Sequence, residues 1–455
     1  MLRKHKEKII FFLIIFFFPS FVPHHISAKE NKTVPGIVLS LEESISIAFK
    51  NNKDIRIQKE EIRVAKAGIL EAQSQLLPKL NLDASYVHTG EILSLSSSVL
   101  SSTKKDSGVV TGYKNDNQLG LSLTDVVYNG GANISGLKQS IVSFNAQKEI
   151  LRARELAMEF ETKRLYYGLL LAIETRRIAQ ELLDQSKEHY EDVKRKFEQG
   201  TASKFDLLQS KVQVSKVFPE VVKAENAVDL TMADLNKLLG LDVRTYITPK
   251  ESLSFLPIEI EEEEFLKQAY LNQPEMILKS LGIDIEKWNI KIAKASNRPQ
   301  VNAGLGYSYR SNDIGDMFNN KHSNWNAGFT VSIPIFDGFS SRAKVERAKS
   351  RYIQSILEKT NLIDRIAVEI RQACLDLEYS RAIIDSQEAN VGEAEEALRI
   401  SEVRYDNGVG INLDVLDAQV SLSQIEENLS GGIYDYLMAK ASLDRTMGKS
   451  ILRSQ

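Results

Sequence analysis

The chain has 455 residues, and 58 Lys and Arg stand against 61 Asp and Glu for a formal net charge of −3. That balance leaves no electrostatic footprint for nucleic acid, and a charged fraction of 26% is that of a folded protein, not a disordered one. The single cysteine, Cys374, excludes an intramolecular disulfide, and six scattered His argue against a metal site.

The first 28 residues stand apart. Arg3, Lys4, Lys6 and Lys8 precede an unbroken apolar run from Ile9 to Phe18, which Pro19 and Pro23 end before Ile26-Ser27-Ala28. This order predicts a secretory signal peptide over residues 1–28. The run is too short for a transmembrane anchor. No cysteine lies near the cleavage point, so no lipid anchor is expected there. Beyond Ala28 no apolar stretch is long enough for a spanning helix, so any membrane crossing must use β-strands.

A short helix is expected over Leu41–Asn51 and a second over Lys53–Leu76. A strand near 79–89 follows Pro78, where Leu80, Leu82, Ala84 and Tyr86 alternate with Asn81, Asp83 and Ser85. After the Ser- and Gly-rich loop Gly90–Asp116 comes a strand near 117–127. Period-two alternation of apolar and small polar residues is the strand signature. It suits either a lipid-facing barrel with a wet lumen or a soluble sheet packed on one face. From Gly131 to Glu198 no proline occurs, and Leu137, Phe144, Leu151, Met158 and Leu165 recur at seven-residue spacing. That predicts a coiled-coil hairpin over 131–239, with a kink at Pro219 in its return helix.

The plan then repeats. Pro78, Asn81 and Tyr86 recur as Pro299, Asn302 and Tyr307, at a shift of 221 residues. Gly120, Gly200, Asp206 and Gly240 recur as Gly328, Gly408, Asp414 and Gly448, at a shift of 208 residues. The first repeat therefore covers 29–240, a linker 241–262, the second repeat 263–449 and a tail 450–455. The second repeat holds helices Glu263–Asn272 and Pro274–Ser296, strands near 300–310 and 324–334, and a helical hairpin over 340–447. Its heptad seam Ile356, Ile363, Ile370, Leu377, Ile384 lies beside a smaller seam containing Ala373, Ser380 and Ala394. The fold class is α+β.

The two hairpin tips carry a resemblance. They read Phe197-Glu-Gln-Gly200-Thr-Ala-Ser-Lys-Phe-Asp206-Leu-Leu and Tyr405-Asp-Asn-Gly408-Val-Gly-Ile-Asn-Leu-Asp414-Val-Leu-Asp417. With Tyr128-Asn-Gly130 and Phe336-Asp-Gly338 at the strand ends, the chain resembles the TolC family of outer-membrane efflux proteins over its whole mature length. The resemblance implies a homotrimer with four strands per chain in one barrel in outer-membrane lipid, and helices forming a periplasmic tunnel. It implies an exit duct for efflux or type I secretion, working with a periplasmic adaptor (membrane fusion) protein and an inner-membrane efflux transporter or ABC exporter. No cofactor or metal is implied.

By the same resemblance Asp414, Asp417, Tyr405 and Asp206 fall at the tunnel gate. Phe197, Gly200, Thr201, Gly408 and Val409 form the adaptor-docking tips. Gly410 stands where an Arg is usual and Phe205 where a Thr is, so the bonds those residues make would be missing. Capping is the competing account: Ser203-x-x-Asp206 reads as a capping box, and Asp414 sits in a first turn after Asn412. Asp417 lies beyond the capping positions. Cys374 reads as a small buried hydrophobe, and the isolated His88, His189 and His322 form neither triad nor metal site. Two other readings stay open, a soluble periplasmic coiled-coil scaffold and an exported enzyme on a helical frame. The second lacks any convergent catalytic set.

Overall fold

The computed structural model describes residues 36–90, 94–95, 109–110 and 114–451. The expected signal peptide and most of the first loop lie outside these described residues. The first half runs β1 (Ile37–Leu39), α1 (Leu41–Asn51), α2 (Lys53–Ser74), β2 (Lys79–His88), β3 (Ser94–Leu95), β4 (Val109–Val110), β5 (Asn115–Asn129), α3 (Ala132–Glu198) and α4 (Lys204–Leu239). The second runs β6 (Ile247–Pro249), α5 (Glu262–Asn272), α6 (Pro274–Ala295), β7 (Gln300–Ser311), β8 (Ser323–Ser332), α7 (Ser340–Asp406) and α8 (Asn412–Thr446).

Local chemistry sets the breaks. Ser40 and Glu43 close a capping box at the start of α1. The Asn52 side chain accepts from the amides of Asp54 and Ile55, at 2.8 and 3.1 Å, and so starts α2. In the second half Pro274 occupies the first turn of α6, where a missing N–H is harmless. The helix α4 continues through Pro219. The strand β8 stops at Ser332, just short of Pro334, which has no amide to donate to a ladder.

The four main strands form one antiparallel sheet in the order β2-β5-β7-β8. Its register aligns the apolar residues in rows. Leu82 faces Leu121, Leu121 faces Tyr307, and Tyr307 faces Trp325. On the other side Asp83, Gly120, Ser308 and Asn324 make the parallel polar row. Successive side chains point to opposite faces, so one face is apolar and the other small and polar. Leu82, Trp325 and Phe329 are 69%, 71% and 78% exposed. A bulge between Asp125 and Tyr128 bends β5 where it feeds α3.

The helices make a four-column wall under this sheet. Near the strands α2 packs on α3, and α6 packs between α3 and α7. Farther away α4 packs on α3, and α8 packs between α3 and α7. The columns α2/α4, α3, α6/α8 and α7 thus keep the strand order. Where α4 ends and α2 begins, the Asn51 side chain donates to the Leu239 carbonyl at 3.1 Å. The matching junction in the second half places Gly448 against Asn272, where a Cβ would lie 2.6 Å from the Asn272 carbonyl oxygen. Both closing glycines, Gly240 and Gly448, have left-handed φ of +70° and +71°.

Two buried clusters lock the middle of the wall. Tyr166, Leu169, Leu235 and Leu239 pack with Leu39 of β1 and Ile247 of β6. Ile366, Ile370, Leu377, Tyr436 and Leu443 form the second. Cys374, 1% exposed, is one of its packing residues. Among the described residues no helix is long and apolar enough to cross a membrane.

Candidate functional site

The hairpin tips are the farthest points from the sheet, separated from it by the 67-residue helices α3 and α7, about 100 Å at 1.5 Å per residue. Both tips turn the same way. Gly200 and Gly408 have φ of +77° and +72° and open space around them. The Thr201 amide donates to the Lys196 carbonyl and the Val409 amide to the Arg404 carbonyl, each at 2.9 Å. These bonds close the free carbonyls at the helix ends. Phe197, Thr201 and Val409 are exposed. Gly410 is tightly held, since a Cβ would lie 3.0 Å from both Arg404 Cβ and the Tyr405 nitrogen. A larger residue at 410 would press on the Arg404 side chain and the Tyr405 backbone.

The acids at the tips divide into two kinds. The Asp206 carboxylate accepts from the Ser203 hydroxyl at 2.6 Å and from its amide at 3.2 Å, completing a capping box. Capping thus accounts for Asp206. Asp414 makes no capping bond, since the cap residue of α8 is Ile411 and no side chain caps this helix, but it stands in the first turn, where a carboxylate suits the helix N-terminus. Asp414 and Asp417 are both exposed on one stripe of α8, and neither carboxylate has a hydrogen bond or ion pair among the described residues.

Asn412, expected as a local helix-start residue, instead joins the two hairpins. It is 2% exposed. Its side-chain oxygen accepts from His189 Nε2 at 2.7 Å and from the Ser210 hydroxyl at 3.1 Å. Its nitrogen donates to Gln209 Oε1 at 3.0 Å. One side chain of α8 thereby ties α3 and α4. Beside it Tyr405 stacks on His189, with ring centroids 5.3 Å apart, and Lys196 lies 4.3 Å from the Tyr405 ring. Lys196 also crosses between hairpins, donating to Asp406 at 2.7 Å. The Tyr405 hydroxyl is buried without a partner, and burial, then the Asp206 charge, lifts its pKa. Burial is the first cause holding His189 below its usual pKa, partly offset by its bond to Asn412 and by Asp192. Sequence reasoning missed His189, Lys196 and Asn412 as a set.

The chain matches the family described as Outer membrane efflux protein over residues 44–241 and 265–449. It belongs to that family. It is accordingly an outer-membrane efflux channel protein, with its long helices in the periplasm, and not an enzyme. Among curated relatives, the outer membrane protein TolC of Vibrio cholerae is 22% identical over 269 residues, 57% of this chain and 60% of that protein. This chain thus aligns with less than two thirds of that relative. The probable outer membrane lipoprotein SilC of Salmonella typhimurium is 21% identical over 448 residues, 94% of this chain and 93% of that protein. The crystal structure of the CusC channel superposes with a TM-score of 0.78 at 20% identity, covering 94% of this chain and 96% of that one. The fold is shared with that channel, and membership of the family replaces the scaffold and enzyme readings.

Proposed function

We propose that three copies of this chain close one barrel and one tunnel, which serve as the exit duct of an efflux or type I secretion assembly. The observation that carries this reading is the sheet: β2 and β8 are its two open edges, and one face is apolar. Four strands cannot close a barrel alone, and an open edge is not tolerated in lipid. Three copies of a four-stranded sheet give twelve strands, an even number of the kind outer-membrane barrels use. The outermost helical columns support the same ring. Ile57, Val64 and Leu230 are exposed on α2/α4 at one flank, and Leu357, Val368 and Tyr379 on α7 at the other. Unlike edges that pair head to tail make a closed ring. The polar face of the sheet, against which lies a cavity of about 810 Å³, becomes the lumen.

The repeats 29–240 and 263–449 then act as quasi-equivalent hairpins. Asp414 and Asp417 of three chains place six carboxylates at the tunnel entrance, where they favour cations. Tyr405 and Asp206 belong to the same entrance, with Asp206 also capping α4. Phe197, Gly200, Thr201, Gly408 and Val409 dock a periplasmic adaptor, which links the duct to an inner-membrane efflux transporter or ABC exporter. Photo-crosslinkers at Thr201 and Val409 should capture the adaptor in cells. Capture only from positions near the strands would refute tip docking.

A further inference from the structure

The turn between β8 and α7 is apolar and uncovered. Ile335, Phe336 and Phe339 are 97%, 76% and 66% exposed. Phe336 and Phe339 meet edge to face, with ring centroids 5.6 Å apart and planes at 87°. Phe339 has a φ of +68°, and it is the one non-glycine residue with left-handed backbone among the described residues. That backbone is disfavoured for any residue with a Cβ, and it persists where surroundings impose it. At the shift of 208 residues its counterpart is Gly131, with φ of +89°. A phenylalanine thus stands, strained and exposed, where the first repeat uses a residue that adopts the conformation freely.

The first repeat shows what such a turn packs against. A Cβ on Gly130 would lie 2.6 Å from the Ala295 carbonyl oxygen, and Arg298 Nη1 donates to the Gly130 carbonyl at 3.0 Å. A Cβ on Gly338, the counterpart of Gly130, would meet nothing within 4 Å. At the shift of 221 residues Ala295 and Arg298 become Ser74 and Leu77, at the end of α2. That helix stands at the opposite edge of the wall, so a second copy must bring it here. Both shifts hold in the pairing itself. Lys79 opposite Thr124 and Asn81 opposite Ser122 become Gln300 opposite Ser332 and Asn302 opposite Thr330. Applied to the β5–β7 pairing, they set β8 beside β2 of a second copy, with Phe329 opposite Tyr86 and Thr330 opposite Ser85. Apolar then meets apolar and polar meets polar. Pro334 falls within the bulge that separates Asp125 from Tyr128 in β5, a place where a strand tolerates proline. Beyond it Asp337 falls opposite Lys79, as Asn129 does opposite Gln300. Within the chain Lys79 bonds Gln75 and Asp337 bonds Ser341, both neutral partners.

We propose that the turn Phe336–Phe339 locks onto the end of α2 of a second copy, with Phe339 against Leu77 and Asp337 paired to Lys79 of that copy. Leu76 and Leu77 are 38% and 61% exposed in the single chain. Leu77 cannot give the hydrogen bond that Arg298 gives inside the chain. Apolar burial takes its place at the joint between copies, and the Phe339 ring supplies that burial. The backbone strain at Phe339 is the cost of aiming the ring at its neighbour. The lock rests on the ring of copies proposed above, while the ring does not require the lock.

The test uses the full-length protein in detergent, with the buried Cys374 replaced by Ala. Oxidation of Thr330→Cys/Ser85→Cys should give covalent trimers on a denaturing gel. Thr330→Cys with Asp83→Cys or with Val87→Cys, each slipped by two residues, should not. Phe339→Gly copies the first repeat and removes the strain, so a turn without a partner would gain stability from it. A locked turn loses instead: the assembled form should dissociate in dodecyl sulfate at least tenfold faster on warming. Leu77→Gln should act in the same direction, and the double variant should be little worse than either single one. Equal or slower dissociation in Phe339→Gly overturns the lock, and trimers crosslinked through 330 and 85 then leave the ring standing. Faster dissociation in Phe339→Gly but not in Leu77→Gln marks a residue facing lipid and also overturns it. Crosslinking through a slipped pair overturns the register. Monomers with no crosslink from any pair overturn both the lock and the ring.

Discussion

Replacing Asn412 by Ala should loosen the tips without touching the rest of the wall. The Asn412 side chain makes three well-formed hydrogen bonds, at 2.7, 3.1 and 3.0 Å, to His189, Ser210 and Gln209. A fourth, to the Asp206 carbonyl at 3.5 Å, is at the limit and is not counted. At about 1 kcal/mol net each, with His189 and Ser210 left buried, the loss is about 3 kcal/mol. That is roughly a hundredfold in the local opening equilibrium at 1.4 kcal/mol per factor of ten. Hydrogen exchange by mass spectrometry, on protein in detergent, reads this directly. Amides of 413–420 and 186–192 should exchange about a hundredfold faster. Amides around Leu169 and Leu235, buried in the distant cluster, should not change. Unchanged exchange at the tips in Asn412→Ala would show that the two hairpins are held by something else.

Three further outcomes are expected. His189 is held below its usual pKa mainly by burial, so the closed tip binds fewer protons than the opened one. Its stability is therefore full above the ordinary His value of 6.5 and is lost as pH falls through that value toward the lower folded one; tip exchange should accelerate on acidification, and His189→Gln should flatten that dependence. In planar bilayers, Asp414→Asn/Asp417→Asn should reduce cation selectivity and block by a trivalent cation, and unchanged block would remove both from the entrance. Gly200→Ala should cost about 1–2 kcal/mol for the left-handed backbone alone. Gly448→Ala should cost more, because its Cβ would also lie 2.6 Å from the Asn272 carbonyl oxygen. Thermal unfolding of the two variants gives the order, and equal losses would contradict it.

What could be read from the sequence was whatever repeats at short range. The alternation from Leu80 to Tyr86 and from Val301 to Tyr309 gave strands within a residue or two of those found. The heptads Ile370, Leu377 and Ile384 are all buried in the hairpin seam. The doubled Gly200 and Gly408 marked both turns because a left-handed closing residue leaves a local signal. The Asn412 junction left none. Its partners His189 and Ser210 lie 223 and 202 residues away. An Asn after a loop is more simply read as a cap, yet here the cap position is Ile411. Gly410 was similarly opaque: its contacts with Arg404 and Tyr405 exist only once the turn is closed.

The central claim is that the β2 and β8 edges of one chain are closed by other copies of the same chain. Mass measurement of the detergent-extracted protein by light scattering, with circular dichroism on the same sample, tests it most directly. The account predicts a particle of three chains with full strand content, stable on dilution. A monomer that retains its full strand content would contradict it.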